Sequence, residues 1–357
     1  MYNIYIYFNW QQGDKNMFKK ALVFLLAFVM LFCVGCMGNN EVIVDTDDEG
    51  AETEPILSVN SLTGLKDISD DKLTARPVSV MVNNISIAQG VQAGLATADI
   101  IYETEVEGGI TRLMAVYKDI EAAGQIGTVR SARYAYVDLS MGHGAVYIHS
   151  GSDPIYCRPH LKDIDDIDIG DGKYGKRQNT GLASEHTLYT DGKTLLGGIK
   201  KNFKNTEVSA TETWVNFADE DENITLSGGA ATSISVPFSS SYVTKFAYNT
   251  ETGKYDRLVK GAVQKDYKTG EAVSVENVFV LLTSISDYPD GKHRNIALTG
   301  GDGYYFANGT YTFIKWQKGA ADKPITFTDA EGNELKVSAG NSWVCIADKQ
   351  KSNPIYQ

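Results

Sequence analysis

Apolar and polar positions alternate along the first half of the chain in short stretches typical of β-strands. In residues 76–84, "RPVSVMVNN", Val78, Val80 and Val82 fall on one face, as a half-buried strand requires. The stretches "ADIIYETEVE" and "ITRLMAVYK" predict two further strands, which the turn residues "GG" separate. A fourth strand, short and almost wholly apolar, is predicted in "AVYIHSG".

Two segments of the same half carry helical signals. In "SARYAYVDLSMGHG", Ala132, Ala135 and Leu139 recur at helical spacing, and Ser131 is the expected N-cap. "DGKTLLGGIKKN" predicts a second helix capped by Asp191. Strands mixed with helices favour a layered arrangement of both element types in this half.

After about residue 206 the pattern changes to strands separated by short turns, as in "ENVFVLLTSIS" and "GDGYYFANGTYTFIKWQKG". Turn signals such as Glu331-Gly332-Asn333 recur at the spacing expected of a small sandwich or barrel. The chain has 357 residues, which is enough for two domains. The sequence therefore predicts an α+β fold, with a mixed α/β domain over residues 59–205 and a β-rich domain over residues 206–357.

The N-terminal segment carries export signals. Residues 1–16 match no targeting pattern, but after Met17 two lysines precede an apolar run at residues 21–34, which has the length of a signal-peptide core and is short for a membrane span. The run ends in "CVGC", which resembles the bacterial lipobox, whose last cysteine is lipidated. We expect Met17 to be the true start, residues 1–35 to be a signal peptide with an extension, and Cys36 to carry the lipid. An uncleaved N-terminal anchor is the alternative.

Charge and cysteine usage narrow the class of protein further. Residues 36–58 are expected to form a flexible acidic linker, since seven acids and no bases occur between positions 37 and 55. The formal net charge of −12 argues against nucleic acid as a partner. We expect a lipid anchor to hold the protein on the outer face of the bacterial cytoplasmic membrane. Cys157 and Cys345 are expected to be free, buried thiols, and a disulfide between them is the alternative.

The densest polar chemistry lies between residues 103 and 153. Glu103, Glu105 and Glu107 alternate, so on one strand their carboxylates would share a face. Arginines and serines follow at predicted strand ends and at a helix start, where ligand crevices form and backbone N–H groups favour anions. We expect Arg130 and Arg133 to face the same cavity as His149; alternatively, the arginines form structural salt bridges with the glutamates. The predicted ligand-binding residues are Arg112, Arg130, Ser131, Arg133, Ser150, Asp153 and His186.

Catalysis would depend on a histidine. His149 is the candidate general acid or base, because an imidazole can exchange a proton near neutral pH, and Glu107 is the candidate partner that orients it. No nucleophile elbow and no cysteine-protease signature occurs. The five histidines lack the spacings of zinc enzymes, residues 163–172 lack the register of a calcium loop, and no P-loop is present. We therefore expect no metal and no cofactor.

Several stretches together resemble one known family. "LTGL", "RPVSVMVNN", "ADIIYETEVEGGITRLMAVY", "IGTVRSAR", "YIHSGSD" and "HTLYT" occur in the order and spacing of the DUF3048 lipoproteins. The C-terminal "GDGYYFANGTYTFIKWQKG" is similar to that family's own C-terminal domain. The resemblance implies two domains and an anchor at the outer face of the membrane, and it supplies no catalytic residues.

The sequence thus favours a membrane-anchored extracytoplasmic lipoprotein that binds an anionic cell-envelope component or a partner protein through an arginine- and glycine-rich pocket. The alternative is an enzyme acting on cell-wall material, a hydrolase or transferase with His149 as general acid or base. Aromatic residues of the second half could also floor a sugar- or peptide-binding face, although such residues in strands more often serve sheet packing. They are Tyr304, Tyr305, Tyr311, Trp316 and Trp343.

Overall fold

Strands dominate the part of the chain that the computed structural model describes, residues 57–209 and 213–357. These residues form 25 short strands and only two α-helices. The fold is mostly β, so the prediction of an α+β fold is wrong. The predicted signal peptide, the predicted lipidation site Cys36 and the predicted acidic linker up to residue 56 lie outside the described residues.

One ten-stranded sheet contains strands from both halves of the chain. Strand β24 lies at its middle, parallel to β4 on one side and to β17 on the other. The division of the chain near residue 206 stays a prediction. In spatial order, with numbers given in chain order, the strands are β22 (Ile325–Thr328), β21 (Thr310–Lys318), β20 (Gly300–Ala307), β17 (Asn277–Thr283), β24 (Ser342–Asp348), β4 (Ile100–Glu105), β5 (Thr111–Tyr117), β3 (Val78–Asn83), β7 (Val146–His149) and β8 (Asp166–Asp168).

The remaining strands build one six-stranded sheet and several small ones. The six-stranded sheet comprises β15 (Ala262–Val263), β14 (Lys254–Val259), β13 (Tyr242–Asn249), β12 (Ser233–Ser239) and β25 (Ile355–Tyr356), with β16 (Ser274–Val275) paired to β14. A three-stranded sheet comprises β6 (Gln125–Gly127), β10 (Leu188–Asp191) and β9 (Lys176–Arg177). Two-stranded pairs are β1 (Leu57–Val59) with β2 (Lys66–Ser69), β11 (Asn216–Phe217) with β23 (Lys336–Val337), and β18 (Ile285–Asp287) with β19 (Arg294–Ile296).

Two α-helices and five short 3₁₀ helices complete the described elements. Helix α1 (Tyr134–Gly142) begins two residues later than expected, because Arg133 rather than Ser131 is at its N-cap position, without a capping side-chain hydrogen bond. Helix α2 (Gly192–Asn202) confirms the expected cap, because Asp191 accepts the Thr194 N–H at 2.9 Å. The 3₁₀ helices are Asp70–Lys72, Gln89–Val91, Glu107–Gly109, Arg158–Asp163 and Ser184–His186.

Apolar side chains fill both sides of the ten-stranded sheet. On one side Val80 and Val280 pack in a cluster that includes Phe246 and Tyr255 of the six-stranded sheet. On the other side the sheet packs with Tyr136 of α1 among other apolar side chains. Burial on both faces explains why the central strands read as almost continuous apolar runs. Cys157 and Cys345 are free and buried, as expected.

Two glycines of α2 provide a matched pair of substitutions. A β-carbon at Gly192 would overlap the carbonyl oxygen of Ile120, whereas one at Gly197 would meet open space. Gly192→Ala is therefore expected to lower the free energy of unfolding by about 2–3 kcal/mol through overpacking. Gly197→Ala is expected to raise it by about 0.5–1 kcal/mol, because alanine restricts the unfolded chain and favours helix. Urea titrations of both variants check the pair, and equal effects would contradict this close packing.

Candidate functional site

The stretch "VRSAR" runs across the ends of the central strands of the first half. The Arg130 N–H donates to the carbonyl of Met81 just before β3 ends, at 3.0 Å. On its other side the Ser150 N–H donates to the Arg130 carbonyl and the Ala132 N–H to the Gly151 carbonyl, at 3.0 and 2.9 Å. The structure thus brings the backbones of the predicted residues 130–133 and 150–151 together, as neighbouring strand ends require.

Four arginines, which we call the arginine cluster, influence one another here: Arg112, Arg130, Arg133 and Arg177. They are half of the eight arginines of a chain with a net charge of −12, so the positive charge is concentrated locally. Burial, together with the charges of Arg133 and Arg130, lowers the pKa of Arg112 to about 9. Burial also lowers the pKa of Arg130, and repulsion from Arg133 and Arg177 lowers it further.

Arg112 is the most deeply placed member of the arginine cluster. It is 5% exposed, and its Nη1 donates to the Ser131 carbonyl at 2.8 Å. Arg130 likewise donates from Nη1 to a carbonyl, that of Glu185, at 2.8 Å. Within residues 57–209 and 213–357, neither guanidinium has a carboxylate oxygen within 4.0 Å. Two positive charges of the cluster therefore lack a direct counter-ion among these residues.

Arg133 differs, because it forms a bidentate ion pair. Its Nε lies 2.7 Å from Oε1 of Glu107, and its Nη2 lies 2.8 Å from Oε2. Burial raises the pKa of the Glu107 carboxyl, but the hydrogen bonds and charge of Arg133 outweigh it and lower that pKa overall. For Arg133 the geometry matches the structural salt bridge that was the alternative to ligand binding.

The three glutamates that alternate in sequence have three different surroundings. Strand β4 ends at Glu105, and Glu107 lies beyond it in a 3₁₀ helix, so the row does not continue along one strand. Glu105 pairs with Arg294 of β19 at 3.1 Å. Glu103 is fully buried and accepts four side-chain hydrogen bonds.

A narrow cleft lies beside the Arg133–Glu107 pair. Of the predicted site residues, Glu107, Arg133 and Asp153 line it; Arg130 and His149 do not. The lining residues that sequence reasoning missed include Tyr156, Tyr288 and His293. The last two follow β18 in the hairpin to β19, more than a hundred residues later in the chain, and no local motif marks them.

His293 connects several carboxylates of the cleft. Its Nε2 lies 3.2 Å from Oδ1 of Asp153 and 3.8 Å from Oε1 of Glu107, and its Nδ1 bonds to Asp290. This hydrogen bond lowers the pKa of Asp290 to about 2. The carboxylates and cations of the cleft therefore satisfy one another. No group of three or more His, Cys, Asp or Glu side chains suited to a metal ion occurs in the described parts of the chain.

Asp153 holds the turn that follows β7. Its carboxylate accepts the N–H groups of Ile155, Tyr156 and Cys157 at 3.1, 2.8 and 2.8 Å. Burial raises the pKa of Asp153, but these three N–H groups and the nearby His293 lower it overall. The geometry thus gives Asp153 a clear role in the backbone conformation of the loop.

Both predicted histidines are buried and hydrogen-bonded. His149 is 1% exposed; its Nε2 lies 2.9 Å from Oδ2 of Asp166, and its Nδ1 lies 2.9 Å from the Gly151 carbonyl. Both of its ring nitrogens therefore face oxygen acceptors. His186 is bonded through Nδ1 to Asn83 at 2.9 Å, and burial, assisted by the charge of Arg130, lowers its pKa. Ser131 and Ser150 are half-buried beside them.

The fold and the site define a mostly β protein in which a ten-stranded sheet packs against a six-stranded one and an arginine cluster lies near strand ends. The chain belongs to the DUF3048 family. The model described as "Protein of unknown function (DUF3048) N-terminal domain" matches residues 62–207, and that of the DUF3048 C-terminal domain matches residues 234–344. The resemblance predicted from the sequence is thereby confirmed.

Two comparisons with single proteins agree with this family. The chain is 27% identical over 337 residues to "Putative lipoprotein YerB" of Bacillus subtilis (strain 168), covering 92% of this chain and 95% of that protein. The crystal structure of the YerB protein from Bacillus subtilis superposes with a TM-score of 0.73 at 25% identity, covering 84% of this chain and 99% of that one. Among the helices that the structure describes, none is long and apolar enough to cross a bilayer.

Proposed function

We propose that this protein is a lipid-anchored extracytoplasmic binding protein whose arginine cluster holds an acidic group of an envelope component or of a partner protein. The lipobox-like "CVGC" and the name of the YerB relative support the anchor and the location. The observation that carries the binding proposal is Arg112, a buried guanidinium without a carboxylate within 4.0 Å among the described residues.

Physical chemistry favours an anion at this position. A buried cation without a counter-ion is costly, and the neighbouring arginines increase that cost, as the lowered pKa of Arg112 reflects. A carboxylate or phosphate would offset this repulsion, and the planar guanidinium donates two parallel hydrogen bonds to either group. Arg130 and Arg177 would supply the outer contacts, since Arg130 is half-buried and Arg177 is exposed.

We assign binding rather than catalysis because the contacts of His149 and Glu107 do not suit the roles that catalysis would require of them. Both ring nitrogens of His149 face oxygen acceptors, which leaves neither free to exchange a proton with a substrate. Glu107, its expected partner, is bonded to Arg133 instead. The binding role needs neither residue to move.

A double variant tests the proposal. Arg130→Gln with Arg177→Gln is expected to weaken binding of an anionic probe by at least about tenfold, since hydrogen bonds between charged groups contribute roughly 1.5–3 kcal/mol each. Fluorescence anisotropy of the full chain would measure binding of a labelled glycerol-phosphate oligomer and of a polyglutamate of equal charge. Arg112 is left in place because its burial ties it to folding.

The control removes the same charge elsewhere. Lys245→Gln with Lys349→Gln changes two exposed lysines outside the arginine cluster and should leave affinity within about twofold. An equal loss of probe affinity in both double variants would show that overall charge causes the effect, and it would contradict a binding site at the arginine cluster. Absence of binding of both probes to the unaltered chain would also overturn the proposal.

A further inference from the structure

Backbone carbonyls orient three members of the arginine cluster without neutralising them. Arg130 and Arg177 donate through Nη1 to two consecutive carbonyls of the 3₁₀ helix Ser184–His186, so their guanidiniums lie close together. Arg112 donates to the carbonyl of Ser131, the residue that follows Arg130. A carbonyl fixes the direction of a guanidinium but carries no net charge, so the positive charges of these three side chains persist.

Most of the donor capacity of these guanidiniums is unused within residues 57–209 and 213–357. A guanidinium has five N–H donors, yet Arg112, Arg130 and Arg177 each make one hydrogen bond there. The buried Nε of Arg130 has no hydrogen-bond partner among these residues. A tetrahedral oxyanion, which has several acceptor oxygens, could therefore bond to more than one of the remaining donors.

The charges at the arginine cluster leave a positive excess. Those that act most strongly on Arg112 and Arg130 belong to the other arginines of the cluster and to two carboxylates, Glu107 and Glu185. His186, which lies beside Arg130, adds no charge at pH 8, because burial lowers its pKa. Four guanidiniums against two carboxylates give a local net charge of +2.

The carboxylates of the neighbouring strand end are already engaged. Asp166 is bonded to His149, and Asp168 accepts the N–H groups of Gly151 and Gly170 at 3.0 and 2.9 Å. Within the described parts of the chain, neither carboxylate forms an ion pair with a member of the arginine cluster. The positive excess therefore stays with the arginines.

We propose that the arginine cluster selects a phosphomonoester, whose phosphoryl group carries two negative charges, over singly charged acids. This selectivity presupposes the anion-binding function proposed above. Near pH 7 a phosphomonoester carries a charge of about −1.5 to −2, and above pH 7 it approaches −2. A carboxylate, a phosphodiester or a sulfate ester carries a single negative charge and would offset only half of the positive excess. The three terminal oxygens of the phosphomonoester also suit the planar, forked donors of Arg112 and Arg130.

Calorimetric titration of the full chain at pH 8 with phenyl phosphate and phenyl sulfate tests the selectivity. The two probes share an aromatic ring and three terminal oxygens, but phenyl sulfate has one negative charge fewer. Phenyl phosphate is expected to bind at least about tenfold more tightly, because a second charge counts strongly in a partly buried site. Inorganic phosphate, which has a similar charge but no ester group, should bind no more tightly than phenyl phosphate.

Two substitutions at exposed positions change the charge of the site in opposite directions. Arg177→Gln removes one positive charge and should lower the ratio of phenyl phosphate affinity to phenyl sulfate affinity by about threefold. Glu185→Gln removes one carboxylate and should raise the affinity for phenyl phosphate by about threefold. Lys245→Gln and Glu251→Gln are the matched controls at exposed positions outside the arginine cluster, and they should change neither quantity.

Four results would overturn the proposal. Equal binding of phenyl phosphate and phenyl sulfate would exclude selection by charge, although anion binding itself would stand. A selectivity that Arg177→Gln leaves unchanged would place it outside the arginine cluster. Tighter binding of inorganic phosphate than of phenyl phosphate would make free phosphate the ligand. Failure of all three probes to bind would also overturn it, and titration with the glycerol-phosphate oligomer and polyglutamate then shows whether the proposed anion site fails as well.

Discussion

Glu103→Ala is expected to lower the free energy of unfolding by about 3–5 kcal/mol, the range found when one partner of a buried charge network is removed. Glu103 accepts hydrogen bonds from Asn84, Thr111, Thr244 and Trp343 at 2.6–3.0 Å and is fully buried. Alanine would leave all four donors without their acceptor. Denaturation in urea, followed by circular dichroism, measures the loss.

The same substitution would also isolate a buried cation. Arg257 is 2% exposed, stacks over Trp343 with its Cζ 4.8 Å from the ring, and donates to Asn84, which in turn donates to Glu103. Without Glu103 this guanidinium loses its nearby negative charge. Glu271→Ala removes an exposed carboxylate and is the control, with an expected change within about 0.5 kcal/mol. Similar losses in the two variants would show that the network contributes little.

Stability is expected to fall between pH 5 and pH 8 because of Asp99. Burial raises the pKa of Asp99 to about 7, and the negative charges of Asp67 and Asp119 act in the same direction. Hydrogen bonds from the Lys118 N–H and from Asn60 act in the opposite direction but do not outweigh burial. The folded state therefore holds this proton more tightly than the unfolded chain does. The resulting stabilisation is complete below about pH 4 and is lost as the pH rises through 7, at up to about 1.4 kcal/mol per unit.

Asp99→Asn isolates this contribution, because an amide does not titrate. The difference in unfolding free energy between the unaltered chain and Asp99→Asn is expected to shift by about 3 kcal/mol between pH 5 and pH 8, in favour of the variant at high pH. Urea titrations at four pH values measure it. Asp221→Asn, at an exposed position, controls for the loss of one charge. A difference that stays constant with pH would contradict the raised pKa.

Local pattern predicted the local elements well. The alternation of Val78, Val80 and Val82 identified β3, and Asp191 identified the start of α2, because both signals depend on residues only a few positions apart. The fold class was wrong because the described residues form only two short α-helices among 25 strands. Some of these strands also find their partners far along the chain, as Ile100 does with Ser342. Pairing at such separation leaves no mark in a window of ten or fifteen residues.

The candidate site, like the fold, could be predicted from the sequence only in part. The proximity of residues 130–133 to residues 150–151 could be expected, since both were placed at the ends of predicted elements where ligand crevices form. His293 and Tyr288 reach the cleft through tertiary packing of a later hairpin and could not be expected. Alternation separates the two faces of a strand, but it does not show which face a second sheet will cover. The row of Glu103, Glu105 and Glu107 therefore gave no sign that Glu103 is fully buried.

The middle position of β24 has a consequence for how the chain is made. Thr104 of β4 bonds to Ile346 of β24, and 242 residues separate them. At a synthesis rate of 5–20 residues per second, β24 emerges roughly 12–50 s after the strand it must join. During that interval one edge of β4 presents unpaired N–H and C=O groups, which other chains can join. The largest sheet is thus completed by one of the last strands to be made.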